Sequence, residues 1–207
     1  MDPHWLKWAR ELMAIAQTGL HYTENKYDVE RFNQIRHIAA EIMSMHSSVE
    51  MEKVLTLAQA ESGYATPKVD VRGVVFKDDK ILLVREIMDN NRWTLPGGWA
   101  DVNESPAESV EREVFEESGF KSKVVKVLAV YDRTKQGHVP PYMFHIYKLF
   151  FLCQLIGGEA NTSIETSDVA FFNEHEIPEL SVARVTYQQI MKFFDHHRNP
   201  HLPTDFD

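Results

Sequence analysis

A run of acidic residues in the middle of the chain constrains fold and function more than any other feature. Residues 97–120 read GGWADVNESPAESVEREVFEESGF, with six glutamates and one aspartate against one basic residue, Arg112. Ser105, with Glu108 three residues later, predicts a helix start through a capping box, and Gly119 predicts the helix end. The run is therefore either a solvated acidic helix or a site that holds a positive charge.

Three glutamates of this predicted helix favour the second interpretation. Glu113 precedes Glu116 by three residues and Glu117 by four, which places the carboxylates on one side of the helix, about 5–6 Å apart at Cβ. Like charges at this spacing repel one another and destabilise an isolated helix. Mg²⁺ and Mn²⁺ take oxygen ligands, and Mg²⁺ binds carboxylates together with substrate phosphates. Ahead of the helix, Gly97 and Gly98 let the backbone approach a ligand closely.

Composition restricts the class of protein. The chain has 207 residues, 43% hydrophobic and 11% aromatic, which is enough for a packed core. Its net charge of −9 disfavours general binding to nucleic acid or anionic membranes. No apolar run approaches the roughly 18 residues of a membrane span, and the N-terminus lacks the pattern of a signal peptide. With a single cysteine, Cys153, we expect a cytoplasmic protein with a reduced thiol in its core.

The first 66 residues have the spacing of amphipathic helices. Apolar residues recur every three or four positions in three successive runs. Gly19 is expected to end the first helix, and the third is expected to begin near Ser47 or Ser48. We therefore divide the chain into a helical domain, 1–66, for dimerisation or as a lid, and a second domain, 67–207.

After residue 67 the pattern changes to that of strands. Lys68–Phe76 and Ile81–Arg85 are predicted to form a hairpin around the turn Lys77–Lys80. Val124–Tyr131 and Tyr142–Leu155 are further strands, and the second is apolar on both faces, as for a central strand covered on both sides. A short strand and a closing helix are predicted at Ala170–Phe172 and Val182–His197. The fold class is therefore α/β, with a mixed sheet between helices.

The acidic run resembles the signature of the Nudix hydrolases. That signature is G-x5-E-x7-R-E-U-x-E-E-x-G-U, with U an apolar residue, and every required position matches across Gly98, Glu104 and Arg112–Phe120. The resemblance implies an α/β/α sandwich, here preceded by a small helical domain. It also implies cleavage of nucleoside diphosphates linked to another moiety, with Mg²⁺ or Mn²⁺ as the cofactor.

The same resemblance implies roles for individual residues. The metal ligands would be Glu113, Glu116 and Glu117, with Glu113 or Glu117 in some members acting as the base. Glu104 and Arg112 would orient these ligands. A carboxylate outside the helix often supplies the base in this family. The loop after the long strand offers Glu159, Glu165 and Asp168, and Glu165 is our choice.

The helical N-terminal part and the GGWADV segment resemble the subgroup of CDP-choline and ADP-ribose pyrophosphatases. Residues 134–136 read TKQ where the classical ADP-ribose branch usually carries a proline. Aromatic faces hold a quaternary ammonium best, and Trp93 and Trp99 flank the glycine loop. CDP-choline, giving CMP and phosphocholine, is therefore the first expectation, and ADP-ribose, giving AMP and ribose 5-phosphate, is the alternative. The expected substrate-binding residues are Arg85, Arg92, Trp93, Trp99, Gly97 and Gly98.

The expected partners are a small nucleotide and, by family analogy, a second copy of the chain. An alternative of another class is a transcription regulator that senses nucleotides through a Nudix-like domain. Residues 1–66 contain six Lys or Arg against nine Asp or Glu, a net charge of 6 − 9 = −3, which is the wrong sign for contact with DNA. Nucleic acid and membranes are therefore not expected partners.

Overall fold

The structure is a computed structural model that describes residues 2–207. The chain forms two compact units. The first comprises the described residues up to Pro67 together with Pro141–His145, and the second comprises Lys68–Pro140 and Ile146–Asp207. Residues 142–145 were expected to begin a strand, but they group with the N-terminal helices instead.

The first unit contains three helices, α1 (His4–Tyr22), α2 (Lys26–Met45) and α3 (Met51–Ala60). Gly19 does not end α1 as predicted. A Cβ on Gly19 would lie 2.4 Å from the ring of Phe32, so the glycine lets α2 pack closely while α1 continues. The core of this unit is formed by Leu6, Ala9, Ala40, Met43 and Val54, with Met143 packed against them.

The start of α3 also differs from the prediction. Glu50 is its N-cap, without a side-chain capping bond, whereas Ser47 and Ser48 lie in the preceding turn. Ser47 Oγ accepts a hydrogen bond from the amide of Val49 at 3.2 Å. Ser47 therefore stabilises the turn before the helix, because short polar side chains bond equally well to non-helical backbone.

The second unit contains a seven-stranded mixed sheet among the described residues. Its strands are β1 (Lys68–Lys77), β2 (Lys80–Glu86), β3 (Arg92–Thr94), β4 (Phe120–Asp132), β5 (Ile146–Gly158), β6 (Thr166–Phe172) and β7 (Asp205–Phe206). The order is β3-β2-β1-β5-β4-β7, and β6 pairs with β2. The pairs β1–β5 and β4–β7 are parallel and the others antiparallel.

Two helices cover the sheet, α4 (Pro106–Ser118) on one face and α5 (Tyr187–Arg198) on the other. Val110 and Val114 of α4 pack in one core cluster, and Ile190 and Phe193 of α5 pack in the second. The predicted α/β/α arrangement and the central position of β5 are therefore confirmed. β5 starts at Ile146 and α5 at Tyr187, four and five residues later than predicted.

The predicted hairpin joins β1 and β2. Asp78 and Asp79 at its tip have φ angles of 48° and 59°, the left-handed values that a two-residue hairpin turn requires and that Asp tolerates. Cys153 is a free, buried thiol, as expected. In the described part of the chain, no helix has the length and apolarity needed to span a membrane.

Candidate active site

Helix α4 is held by local signals at both ends. Ser105 Oγ accepts the amide of Glu108 at 3.3 Å, and Glu108 Oε2 accepts the amide of Ser105 at 2.8 Å. Gly119 closes the helix with φ 75° and donates its amide to Phe115 O at 2.8 Å. A Cβ on Gly119 would lie 2.4 Å from Glu159 O, so only glycine fits. The capping box and the helix stop fix which carboxylates of α4 face the sheet.

The loop before α4, residues Leu95–Gly98, runs alongside β1. We call it the glycine loop. Backbone amides of Val71 and Gly73 donate to Gly98 O and Pro96 O at 2.8 and 2.9 Å. Gly97 has φ 140°, and a Cβ there would lie 2.1 Å from Val71 O. Gly97 is therefore required both for its backbone angle and for the close approach to β1. This contact places the loop beside the carboxylates of α4.

Glu117 is the carboxylate of α4 that lies against this loop. Its Oε2 accepts a hydrogen bond from the amide of Gly97 at 2.8 Å, and its residue is 5% exposed. Burial raises the pKa of Glu117 to about 8, against the opposing charge of Arg72. Burial also raises the pKa of Glu113. The two carboxylates are thus poorly hydrated neighbours one helical turn apart.

Arg112 organises the remaining carboxylates. Its Nε lies 3.0 Å from Glu104 Oε1, and its Nη1 lies 2.9 Å from Glu113 Oε1 and 3.0 Å from Glu116 Oε2. Its Nη2 donates to Asp101 Oδ2 at 3.1 Å. Arg112 thus pairs with Glu104 and with Glu116 at the same time. One guanidinium therefore bonds four carboxylates, two in the loop before α4 and two on the helix itself.

These residues fit a divalent cation. The donors are carboxylate oxygens from one helical turn, the type that Mg²⁺ and Mn²⁺ prefer. Gly98 leaves the space next to Glu113 open, since a Cβ there would lie 2.9 Å from Glu113 Oε2. No three His, Cys, Asp or Glu side chains within residues 2–207 stand as a ready-made metal cage. Glu113 and Glu116 instead bond to Arg112, and Glu117 to Gly97.

Glu165 lies beside the helix through its neighbour in sequence. Thr166 Oγ1 donates to Glu117 O at 2.9 Å, and Glu165 O accepts the amide of Ile87 at 2.9 Å. The side chain of Glu165 is exposed. The structure therefore brings the backbone of Glu165 close to the C-terminal part of α4 and leaves its carboxylate in solvent.

The predicted substrate-binding residues are distributed differently. Arg85 Nε donates to Asn91 O at 2.8 Å, and Arg92 Nε lies 2.9 Å from Glu179 Oε1. Trp93 packs edge-on against Phe172, with ring centroids 4.8 Å apart. Trp99 follows the glycine loop, and 44% of its surface is exposed. Arg85, Arg92 and Trp93 are thus engaged by neighbouring groups, while Trp99 presents an aromatic surface to solvent.

Several residues that the fold brings to this region were not predicted from the sequence. Glu86, at the end of β2, is 4% exposed and lies opposite Thr166 in the sheet. Asp70 and Arg72 are buried on β1. They lie two residues apart, which in the sequence is the pattern of a strand with one face in solvent. Glu111 accepts the amide of Val124 at 2.8 Å and joins α4 to β4. Of these residues, only Glu86 could have been suggested as a site residue from the sequence, because it lies directly after a predicted strand.

The fold and this arrangement of carboxylates define a class of hydrolase, and similarity to known protein families identifies that class. Residues 66–193 match the NUDIX domain profile, and residues 3–58 match the profile of a UDP-X-like N-terminal oligomerisation domain. The chain belongs to the Nudix hydrolase family and is a pyrophosphatase of nucleoside diphosphate derivatives. Members of this family generally need divalent metal ions. The resemblance of the acidic run to the Nudix signature is thereby confirmed.

Two similar proteins match the chain over nearly its whole length, and a third matches about two thirds of it. The Bacillus subtilis (strain 168) protein named "Putative ADP-ribose pyrophosphatase YjhB" is 44% identical over 98% of this chain and 97% of its own length. A crystal structure of a UDP-X diphosphatase covers 98% of both chains at 33% identity, with a TM-score of 0.63. An ADP-ribose pyrophosphatase from Streptococcus suis 89-1591 covers 69% of this chain and 100% of its own at 37% identity, with a TM-score of 0.62.

Proposed function

We propose that the protein hydrolyses the pyrophosphate bond of ADP-ribose or of a similar nucleoside diphosphate conjugate, with Mg²⁺ or Mn²⁺ as the cofactor. The observation that carries this proposal is the set of poorly hydrated carboxylates on α4 beside the glycine loop. Glu117 is bound to the amide of Gly97 at 2.8 Å, and Glu113 lies next to Gly98. A nucleotide pyrophosphate and a carboxylate cluster are both anionic, so they can meet only around cations.

Each residue of the cluster has a proposed task. Glu113, Glu116 and Glu117 hold the metal, which supplies charge neutralisation for the pyrophosphate oxygens and activation of the attacking water. Arg112 keeps Glu113 and Glu116 oriented, and Glu104 keeps Arg112 oriented. Gly97 and Gly98 allow the pyrophosphate to approach backbone amides without a steric barrier.

We assign the general base to Glu165, which would take the proton of the attacking water on its exposed carboxylate. Thr166 links this position to the backbone of Glu117 at 2.9 Å. Glu165→Gln should lower kcat by about 10²-fold or more, since general base catalysis typically contributes 10²–10⁴-fold. Glu86→Gln is the matched comparison, because Glu86 is the buried carboxylate opposite Thr166. A larger loss with Glu86→Gln than with Glu165→Gln would move the assignment to Glu86.

The choice of ADP-ribose over CDP-choline follows from relatives and from packing. A protein with 44% identity over almost the whole chain carries the name "Putative ADP-ribose pyrophosphatase YjhB". Of the two tryptophans expected to hold choline, Trp93 is packed against Phe172. Trp99 alone is a weaker cage for a quaternary ammonium than two facing rings. CDP-choline stays in the test, as do UDP conjugates, because a UDP-X diphosphatase also matches the whole chain.

A substrate panel tests this proposal directly. Purified protein is incubated with ADP-ribose, UDP-glucose and CDP-choline, with Mg²⁺, with Mn²⁺ or with excess chelator, and the released mononucleotides are quantified. We expect the highest kcat/KM with ADP-ribose and no turnover after chelation. A higher kcat/KM for CDP-choline or a UDP conjugate would replace ADP-ribose as the substrate. Turnover that persists with chelator would remove the metal from the proposal.

The helical unit is proposed to join two copies of the chain. Trp8, Ile15 and Tyr22 follow one another at seven-residue intervals on α1, and each has more than half of its surface exposed. Ile38 and Met45 repeat this spacing and exposure on α2. Exposed apolar stripes of this kind mark contact surfaces. A second copy is the proposed occupant, since residues 3–58 match an oligomerisation domain and most oligomers of soluble proteins pair identical surfaces.

A further inference from the structure

A buried charge cluster lies on the sheet next to the glycine loop. Asp70 and Arg72 are two residues apart on β1, and Lys148 lies opposite Asp70 on β5. Arg72 Nε and Nη2 donate to Asp70 Oδ1 and Oδ2 at 3.0 and 2.8 Å, and Lys148 Nζ donates to Asp70 Oδ1 at 2.5 Å. The three residues are 6%, 4% and 2% exposed. They form a continuous chain of charge-assisted bonds inside the domain.

Stability alone does not account for a buried cluster of charges. Removing charged groups from water costs several kcal/mol per ion, and apolar side chains of similar volume are often at least as stabilising. This cluster contains two cations and one carboxylate, so its charges do not cancel. The guanidinium of Arg72 also attracts Glu113 and Glu117 through their charges. The excess positive charge of the cluster therefore acts on the carboxylates of α4.

Arg72 connects this cluster to the loop. Its Nη1 donates to Leu95 O at 3.2 Å. From Leu95 the loop continues through Gly97, whose Cβ, if present, would lie 2.9 Å from Arg72 Cα. The amide of Gly97 then bonds to Glu117. An unbroken series of contacts thus runs from Lys148 in the core to a carboxylate of the catalytic helix.

We propose that Asp70, Arg72 and Lys148 are positioning residues for the glycine loop, Leu95–Gly98. Lys148 holds Asp70, Asp70 holds both nitrogens of the Arg72 fork, and Arg72 holds the carbonyl of Leu95. The loop is thereby fixed at the place where the amide of Gly97 meets Glu117. None of the three residues belongs to the signature that identifies the family.

A kinetic cycle tests the order of these contacts. Lys148→Met, Asp70→Asn and the double variant are assayed with the conjugate that the wild type hydrolyses best. Each single variant should lower kcat about 10-fold with KM within about 2-fold, since small misplacements of catalytic groups cost rate rather than binding. The double variant should be no slower than Asp70→Asn, because Lys148 acts through Asp70. Losses that multiply would overturn the proposal by showing that Lys148 and Asp70 act independently. A raised KM with unchanged kcat would overturn it by showing an effect on substrate binding alone.

Hydrogen exchange provides a measurement that needs no substrate. In Lys148→Met, the peptide covering residues 95–101 should exchange faster than in the wild type, while peptides of α5 should not change. Val54→Ala is the control, since it opens a cavity in the core of the helical unit, which contains neither the charge cluster nor Leu95. It should loosen α3 without faster exchange of residues 95–101. Uniform loosening in Lys148→Met would mean that the cluster only stabilises the domain.

Arg72→Lys protects the test against a folding failure of Lys148→Met. It keeps the charge but removes the planar fork that bonds Asp70 and Leu95 together. The same loss of kcat and the same faster exchange of residues 95–101 are expected. Unchanged kcat and exchange in Arg72→Lys would overturn the proposal. The inference rests on the proposed pyrophosphatase activity for its kinetics alone, so faster loop exchange without any turnover would contradict the activity and leave the positioning role standing.

Discussion

Glu117 is a nearly buried carboxylate that accepts the amide of Gly97 and has a pKa raised to about 8 by burial. Glu117→Gln should lower kcat by at least about 10²-fold, because a neutral amide is a poor ligand for a hard cation and the metal carries the charge stabilisation. The amide oxygen of Gln can still accept the bond from Gly97. We therefore expect an unchanged far-UV spectrum and a Tm equal to or above that of the wild type.

The matched control for this substitution is Glu111→Gln on the same helix. Glu111 bonds the amide of Val124 and the side chain of Lys123, on the side of α4 that faces β4. It should retain turnover close to that of the wild type and lose a little stability. If Glu117→Gln also retained turnover, Glu117 would not belong to the metal site.

His138 is a buried histidine that should make stability depend on pH. Its Nδ1 lies 2.8 Å from Val182 O and its Nε2 lies 3.2 Å from Gln189 Nε2, so Nδ1 donates and Nε2 accepts. Burial, with the charge of Lys148, lowers the pKa of His138 to about 3. The unfolded chain binds this proton below about pH 6.5, so the contribution is complete above pH 6.5 and is lost as the pH falls toward 3.

Urea unfolding at pH 7.5 and pH 5 measures this contribution. Between these values the wild type should lose about 2 kcal/mol of unfolding free energy through His138, at about 1.4 kcal/mol per pH unit below 6.5. His138→Gln can keep both hydrogen bonds without a titrating ring. Its loss over the same pH interval should be smaller by that amount. Equal losses in both proteins would show that His138 is protonated in the folded state.

The burial of the charge cluster could not be predicted from the sequence. Asp70, Arg72 and Lys148 stand in strands at positions where a polar residue usually faces solvent. Their burial follows from the pairing of β1 with β5, which brings residues 78 positions apart into contact. The carboxylates of α4 were predictable because their spacing lies within one helical turn. Contacts between distant strands carry no comparable signal in a single sequence.

At the scale of elements, local chemistry separates the predicted from the unpredicted. Both ends of α4 follow from local residues, the Ser105–Glu108 capping box and the left-handed backbone of Gly119, and both were predicted. β3 and β7 have three and two residues and were not predicted, since such short strands exist only through the partners they meet. Gly19 has the sequence pattern of a helix end, and its actual role in packing against Phe32 could not be predicted because it depends on a second helix.

The capping box of α4 should contribute measurably to stability. Ser105→Ala removes the oxygen that accepts the amide of Glu108 and should cost about 1 kcal/mol of unfolding free energy, the typical value for an N-cap. Ser105→Thr keeps the hydroxyl and should stay within a few tenths of a kcal/mol of the wild type. Urea unfolding of the three proteins measures both differences. A loss below about 0.3 kcal/mol for Ser105→Ala would show that water replaces the cap.

At the scale of the whole molecule, charge and assembly are linked. The chain carries a net charge of −9, and two copies repel each other unless an apolar contact outweighs the repulsion. The stripe of Trp8, Ile15 and Tyr22 on α1 supplies such a contact in the proposed dimer. Its side chains are large and exposed, and burying apolar surface gains about 25 cal/mol per Å².

Ile15→Asp places a charge in the middle of this stripe and should shift the protein from dimer to monomer. A buried, unpaired carboxylate costs several kcal/mol, and a dimer would bury two of them by symmetry. Sedimentation velocity at several protein concentrations measures the change. Thr56→Asp adds the same charge at an exposed position on α3 and should remain dimeric. Since Ile15 is half-exposed, the monomer should keep the helical content of the wild type. A dimer that persists in Ile15→Asp would show that the copies meet through another surface.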